Sequence, residues 1–128
     1  MNTGKGLRLG DLQLRILRIL WRHHEATVAE VMEQLGRASR LAYTTVATML
    51  RKMEARGLVR HRVDGRTFIY RSLVGEEQVS RKLTDHLLER LFQGSLSGMV
   101  SHLLSTHEVT PDELAKLESL IEERKRAR

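Results

Sequence analysis

The stretch from Ala42 to Leu58 places the strongest constraint on how this chain can fold. Four of its apolar side chains recur at i, i+3, i+4 and i+7, the spacing that lines one face of an α-helix. These side chains are Val46, Met49, Leu50 and Met53. The pattern predicts a helix that buries one face in a core and ends at Gly57.

The opposite face of this predicted helix is small, hydroxylic and basic. Hydroxyl and methyl groups can approach base edges closely, and Arg and Lys at the rim can reach phosphates or a guanine. Such a face suits a helix inserted in the major groove of DNA, but an ordinary amphipathic helix with a solvated polar face has a similar composition. The outward side chains are Tyr43, Thr44, Ala47, Thr48, Arg51 and Lys52.

The segments before this helix predict two more helices and a turn. A helix should begin near Asp11, whose carboxylate suits the positive end of the helix dipole. Thr27–Glu30 has the Ser/Thr-x-x-Glu pattern of a capping box, which begins a short second helix that ends at Gly36. Helix, short helix, turn and amphipathic helix is the order of a helix-turn-helix.

Positive charge is concentrated in the first part of the chain. The formal net charge is +6, and residues 1–72 carry 14 Lys and Arg against 6 Asp and Glu, whereas residues 73–128 carry 8 against 10. Residues 1–8 are expected to form a flexible basic arm, and Arg40 lies in the turn of residues 36–41, where a DNA phosphate can approach. This distribution indicates a polyanion-binding domain followed by a module with another task, although ribosomal and membrane-surface proteins share it.

Two β-rich runs follow the amphipathic helix. Leu58–Val63 and Arg66–Arg71 are joined by Asp64-Gly65, a strong signal for a short β-hairpin. A hairpin directly after a helix-turn-helix is a wing, and its basic residues Arg62 and Arg66 would reach the neighbouring groove or its phosphates. The alternative is a structural hairpin whose arginines serve only solubility.

The last third of the chain predicts three short amphipathic helices. They cover residues 76–92, a segment from Leu96, and a segment that begins with an N-cap, a Pro and a capping box at Thr110–Glu113. Three such helices bury little by themselves, so a second copy of the segment is the economical partner. The side chains expected in this dimer contact are Leu83, Leu87, Leu91, Met99, Val100, Leu103, Leu117 and Ile121.

Several classes of protein are not indicated. The absence of Cys removes disulfides, thiolate metal sites and a thiol nucleophile. The sequence has no Gly-rich phosphate loop and no His-Glu-x-x-His, and its six histidines are scattered, so neither an enzyme nor a metal or cofactor site is predicted. The N-terminus lacks the apolar core of a secretory signal, and no apolar run approaches the ~20 residues of a membrane span, which favours a cytoplasmic protein without membrane insertion.

Taken together, these segments resemble the BlaI/MecI/CopY family of penicillinase repressors. Each matching piece is weak alone, but their order and spacing carry the resemblance from about residue 9 to residue 122. The matching pieces are Leu9–Trp21, Val28–Val31, Ala42–Leu50, Gly57-Leu-Val, Asp64-Gly-Arg66, Tyr70 and Leu91–Ser95.

The resemblance implies a homodimeric winged-helix repressor of β-lactam-responsive genes, bound to a palindromic DNA operator. Thr44, Thr45 and Thr48 match the base- and backbone-facing positions of the family's recognition helix, and Tyr43 and Arg51 are neighbours added on chemical grounds. The implied architecture is mainly α with a small β-hairpin. It has a winged helix-turn-helix DNA-binding domain at 1–73 and a helical dimerisation domain at 74–128.

The resemblance also bears on how the repressor would leave DNA. In antibiotic-responsive members, an activated membrane sensor leads to cleavage of the repressor at an Asn-Phe bond in the dimerisation module, and the matching position here is His102-Leu103. The copper-responsive members bind metal through Cys-x-Cys motifs, which this chain lacks. Three alternatives stay open: a repressor with a non-proteolytic inducer, a winged-helix module for protein contacts, and sequence-independent DNA binding.

Overall fold

The computed structural model describes residues 8–127, which form six α-helices and three short β-strands. Apart from Arg8, the predicted basic arm lies outside the described residues. The elements in chain order are α1 (Asp11–His23), β1 (Ala26–Thr27), α2 (Val28–Leu35), a 3₁₀ turn (Arg37–Ser39), α3 (Tyr43–Ala55), β2 (Val59–Asp64), β3 (Thr67–Ser72), α4 (Glu76–Phe92), α5 (Leu96–Thr106) and α6 (Pro111–Arg126). The prediction of a mainly helical winged-helix fold is confirmed.

The core of the winged helix lies between α1, α2, α3 and the inner face of the sheet. Helix α1 buries Ile16 and Leu20 in this core. Helix α3 buries Val46, Leu50 and Met53 completely, in agreement with their spacing in the sequence. Burying one such side chain contributes roughly 1.5–3 kcal/mol, so this shared core fixes the orientation of α3.

Helix α2 begins with the predicted capping box. The Thr27 hydroxyl accepts a hydrogen bond from the Glu30 N–H at 3.1 Å, and the Glu30 carboxylate accepts one from the Thr27 N–H at 2.8 Å. The helix ends at Leu35, directly before Gly36, as predicted. From α1, the Arg15 guanidinium donates to the Leu35 carbonyl at 3.3 Å, which ties α1 to the end of α2.

Three strands form one antiparallel sheet in the order β1-β3-β2. The sequence predicted only the β2–β3 hairpin. Strand β1 was missed because its two residues carry no alternating pattern, and it pairs with a distant segment, Ala26 opposite Tyr70. This extra strand holds the start of α2 against the wing.

The hairpin turn lies one residue later than predicted. Asp64 pairs with Thr67, so the two-residue loop is Gly65-Arg66 and not Asp64-Gly65. Gly65 has φ +66°, which glycine adopts without strain, at the first loop position that a type II′ turn reserves for glycine. Helix α3 ends at Ala55, whereas the sequence predicted its end at Gly57.

The described residues group into two compact units. The first ends at His86, and the second begins at Leu87. Their boundary falls inside α4, whereas the sequence divided the chain between residues 73 and 74. Val79 is 2% exposed, so the beginning of α4 buries an apolar side chain. At the start of α6, the Thr110 hydroxyl accepts from the Glu113 N–H at 3.1 Å and Pro111 is the first helical residue, as predicted.

A search of the described helices for one long and apolar enough to cross a membrane finds none.

We expect Thr27→Ala to lower the free energy of unfolding by about 1 kcal/mol, because the first turn of α2 loses its cap. Thermal unfolding followed by circular dichroism measures this change. Thr27→Ser keeps the hydroxyl and should restore most of the stability. Equal loss in both variants would mean that the methyl group, and not the cap, contributes the stability.

Candidate nucleic-acid interface

The first turns of α3 present a row of hydroxyls to solvent. Thr44 and Thr45 are exposed and Thr48 is partly buried, so all three lie on the side of α3 away from the core residue Leu50. Together with Met49 and Lys52 they line a shallow groove of about 290 Å³. The structure thus brings together the three threonines and one of the two basic residues that the sequence singled out on this helix.

Arg51 lies one helical turn after Thr48, and the two side chains are hydrogen-bonded. The Arg51 guanidinium donates to the Thr48 hydroxyl at 3.1 Å. The hydroxyl keeps its own hydrogen free to donate, and the remaining guanidinium N–H groups are free of this bond. A polar ligand that reaches this point meets a hydroxyl already oriented by a cation.

A cleft of about 580 Å³ separates α3 from the wing. Tyr43, which is 55% exposed, and Arg51 line it from α3, while Arg66 and Phe68 line it from the wing. Tyr70 lies at its base, and burial of its ring raises the pKa of the Tyr70 hydroxyl. The cleft therefore has an aromatic interior between two guanidinium groups.

The inner face of the wing is bonded to the end of α3. His61 Nδ1 on β2 donates to the Glu54 carboxylate of α3, with a distance of 2.8 Å to Oε1. The His61 ring stacks on Phe68, with ring centroids 4.0 Å apart and an angle of 11° between the planes. The hydrogen bond fixes the wing against α3, and the stacking holds its two strands together. No local sequence pattern indicated the bond, because Glu54 and His61 belong to different elements.

Arg62 on β2 forms an ion pair with Glu25, a residue that the sequence did not predict to be part of the site. Its Nη2 lies 2.6 Å from Glu25 Oε1, and its Nε lies 3.4 Å from Glu25 Oε2. The hydrogen bond from Arg62 lowers the pKa of the Glu25 carboxyl below its ordinary value, and the same bond raises the pKa of Arg62. Of the two predicted wing arginines, Arg66 is therefore in the turn and lines the cleft, while Arg62 is engaged within the chain.

Arg40 follows the 3₁₀ turn and has a left-handed backbone, with φ +54° and ψ +33°. It is exposed, and it lines a second concavity of about 640 Å³ formed by α2, the turn and Tyr43. The turn itself is held by Ser39, whose hydroxyl donates to the Leu35 carbonyl at 2.8 Å. Arg40 thus lies just before α3 and lines the same concavity as Tyr43, the first residue of that helix.

The predicted dimer residues lie on α4, α5 and α6, and most are exposed in the single chain. Leu83, Met99 and Leu117 are partly buried, and the others are 39–63% exposed. The exposed members of the predicted set are Leu87, Leu91, Val100, Leu103 and Ile121. Exposed apolar side chains also extend along α5 and α6 beyond this set, at Leu96, Leu104, Leu114 and Leu120.

Metal ligands do not gather anywhere in residues 8–127, where no group of three His, Asp or Glu side chains is arranged to hold an ion.

Comparison with known proteins identifies the relatives of this chain. The sequence profile of the family described as "Penicillinase repressor" matches residues 9–123. A penicillinase repressor of Bacillus licheniformis is 26% identical over 118 residues, which covers 92% of each chain. The transcriptional regulator BlaI of Mycobacterium tuberculosis H37Rv is 34% identical over 99 residues, covering 76% of this chain and 72% of BlaI. The methicillin resistance regulatory protein MecI of Staphylococcus aureus N315 is 18% identical over 117 residues, covering 91% and 95%.

Solved structures give the same fold. The DNA-binding domain of the repressor BlaI, determined in solution, superposes with a TM-score of 0.50 at 27% identity, over 56% of this chain and 87% of that domain. The C80S mutant of MarR from E. coli, crystallised with operator DNA, has a TM-score of 0.53 at 17% identity and covers 94% of this chain and 79% of its own. The second likeness supports the winged-helix fold alone.

Proposed function

Because the chain belongs to the penicillinase repressor family, whose members are DNA-binding transcriptional repressors and not enzymes, we propose that it acts as a homodimer on a palindromic operator. In this proposal α3 of each protomer enters a major groove, and the wing contacts the flanking DNA backbone. The observation that carries it is the outward row of Thr44 and Thr45, which are exposed, and Thr48, which is partly buried, on a helix whose opposite face is fixed in the core.

Within this interface the threonines read sequence and the basic residues hold the backbone. A hydroxyl on the groove-facing side of a helix reaches base edges, where it contacts bases directly. Lys52 lines the same groove as the threonines, Arg40 lies just before α3, and Arg66 lies in the wing turn. Their ammonium and guanidinium groups suit phosphates. Tyr43 and Arg51 line the cleft between α3 and the wing, and in this proposal they contact the DNA strand that passes through it.

The dimer is formed by α4, α5 and α6 in this proposal. Each of these helices exposes large apolar side chains, of which Leu91 is 63% and Ile121 is 55% exposed. An isolated soluble chain gains nothing from this exposure, whereas a second copy can bury the same surface by two-fold symmetry. Two-fold symmetry of the protein then requires two-fold symmetry of the operator.

The regulated genes in this proposal are β-lactam-responsive. Relatives named for penicillinase and for methicillin resistance support that choice. Release follows separation of the protomers, because each then retains only one half-site and falls towards non-specific affinity.

We expect Thr48→Ala to weaken operator binding by roughly 5- to 100-fold while leaving binding to an unrelated duplex nearly unchanged, because a base contact is lost. Arg66→Ala should weaken both duplexes equally and lower the slope of log K against log salt by about one unit. Fluorescence anisotropy at several salt concentrations measures both effects.

Thr48→Ser is the matched control, because it keeps the hydroxyl that accepts from Arg51. Equal weakening of the two duplexes by Thr48→Ala would remove α3 from sequence reading. A changed sequence preference in Arg66→Ala would instead mean that the wing reads bases.

We expect Leu103→Glu to convert the dimer to monomers. Losing the burial of one Leu costs roughly 1.5–3 kcal/mol, and two-fold symmetry counts the loss twice, so the dimer should dissociate at least about 100-fold more readily. Sedimentation velocity measures the change. Ser101→Glu places the same charge on α5 without removing an apolar side chain, and it should weaken the dimer much less than Leu103→Glu. A dimer that survives Leu103→Glu would contradict the assignment of α5 to the contact.

We further propose that an activated membrane sensor-protease system releases the repressor by cleavage between His102 and Leu103. This bond lies within α5, where the Ser105 and Thr106 hydroxyls donate to the His102 carbonyl at 3.0 and 2.8 Å, so cleavage requires local opening of the helix. Mass spectrometry of the protein from β-lactam-treated cells should detect a fragment that begins at Leu103. An intact chain in induced cells would establish a non-proteolytic inducer.

A further inference from the structure

The outer face of the wing carries three arginines near one another. Arg60 on β2 pairs directly with Arg71 on β3, and Arg62 lies two residues further along β2. Side chains of directly opposed residues share one face, and alternation places this set on the face opposite to the buried Val59 and Tyr70. Like charges directly across two strands destabilise a hairpin, so this face gains stability from an anion.

Glu25 supplies one such anion from within the chain. Its carboxylate meets the Arg62 guanidinium through two contacts, at 2.6 and 3.4 Å, and the charge of Arg71 acts on the same carboxylate. Among residues 8–127, no other ion pair engages the arginines of this face. Asp64, two residues after Arg62 on the same face of β2, adds a second carboxylate whose charge also acts on Arg62. Three guanidinium groups thus face two carboxylates, and a net positive charge remains.

The backbone beside Glu25 is strained in a way that presents its side chain to the wing. His24 has φ +69° and ψ −45°, and the Glu25 N–H donates to the His23 carbonyl at 2.8 Å. This is a γ-turn with positive φ, a rare conformation that is costly for a residue with a Cβ atom. The strained turn lies between α1 and β1 and includes Glu25, the residue whose side chain contacts Arg62.

The pair is also open to exchange. The side chains of Arg62 and Glu25 are 57% and 40% exposed, so a second anion can approach without displacing the core. A guanidinium fork binds carboxylate and phosphate oxygens in the same bidentate geometry. A phosphate of the DNA backbone therefore fits the place that the Glu25 carboxylate occupies in the free chain.

We propose that Glu25 is an internal competitor for DNA phosphate at the wing: it holds Arg62 in the free repressor, and Arg62 exchanges this carboxylate for a backbone phosphate on binding. This inference rests on the proposed contact between the wing and flanking DNA, and it adds a residue that limits affinity for any sequence. Glu25 acts through Arg62 and so weakens the sequence-independent part of binding, leaving the contacts of α3 to decide where the repressor stays.

The test is a double-mutant cycle on the full chain with two duplexes, the selected operator and an unrelated sequence. Glu25→Gln should tighten binding to both duplexes by about 2- to 5-fold, the range of an exposed ion pair. Arg62→Ala should weaken both. In the Arg62→Ala background, Glu25→Gln should have no effect, because the competitor has nothing left to hold.

Glu77→Gln is the matched control, because it makes the same change in net charge and also frees an arginine, Arg81, from a pair at 3.1 Å. An equal effect of Glu25→Gln and Glu77→Gln would overturn the proposal, as would an effect of Glu25→Gln that persists without Arg62. If Thr48→Ala and Arg66→Ala behave as expected while this cycle gives no coupling between Glu25 and Arg62, the role proposed for Glu25 is disproved. The proposed function as a DNA-binding repressor is then unaffected.

A second measurement does not depend on DNA. Carbon-detected NMR titration of the free protein should give Glu25 a pKa below its ordinary value of 4.5, and Arg62→Ala should bring that pKa back towards it. The paired carboxylate contributes stability above its unfolded pKa, and this contribution is lost as pH falls through the lower folded pKa. A Glu25 that titrates identically with and without Arg62 would overturn the proposal, because the pair would not exist in solution.

Discussion

The burial of one face of α3 is the interaction on which the rest of the structure depends. Val46, Leu50 and Met53 are fully enclosed by α1, α2 and the sheet, so the helix has one possible rotation about its axis. That rotation turns Thr44 and Thr48 outward. A hydrophobic contact, which has no chemical selectivity of its own, thereby determines which polar side chains can meet a ligand.

The wing depends on the same helix for its position. The hydrogen bond from His61 to Glu54 joins the hairpin to the end of α3, the stacking of His61 on Phe68 holds the two hairpin strands together, and β1 joins the hairpin to the beginning of α2. Two elements that are separate in the sequence thus present one cleft, with Arg51 on one wall and Arg66 on the other. For a protein that reads DNA, fixing this spacing before binding avoids part of the ordering cost of association.

Local signals in the sequence were enough for the helices and for the outward face of α3, because helical periodicity and caps are written in neighbouring residues. The starts of α5 and α6 follow from Ser95 and Thr110. Their hydroxyls accept hydrogen bonds from the backbone N–H groups of Gly98 and Glu113, each three residues further along the chain. Strand β1 was not predictable because its pairing partner lies more than forty residues away in the chain. The turn was displaced by one residue because Asp-Gly is compatible with two registers, and the pairing of Asp64 with Thr67 selects one of them.

The ion pair of Glu25 with Arg62 was missed for the same reason as β1, since thirty-seven positions separate the two residues. Arg62 looked in the sequence like a free wing cation, and only the fold reveals its partner. The dimer contact could be proposed from the exposed apolar faces. The pairs of residues that meet across it could not be determined, because the structure of a single chain does not show the partner protomer. These limits have one physical origin: periodicity reports local burial, and contacts between distant segments leave no local pattern.

The measurement that tests the central claim most directly is selection of bound duplexes from a random DNA pool by the purified protein at a stated salt concentration. The account predicts recovery of a two-fold symmetric motif, with half-sites spaced by about one helical turn or a multiple of it. Recovery of bound DNA without any motif would contradict the account, because only the charge-driven contacts of the basic half would then remain.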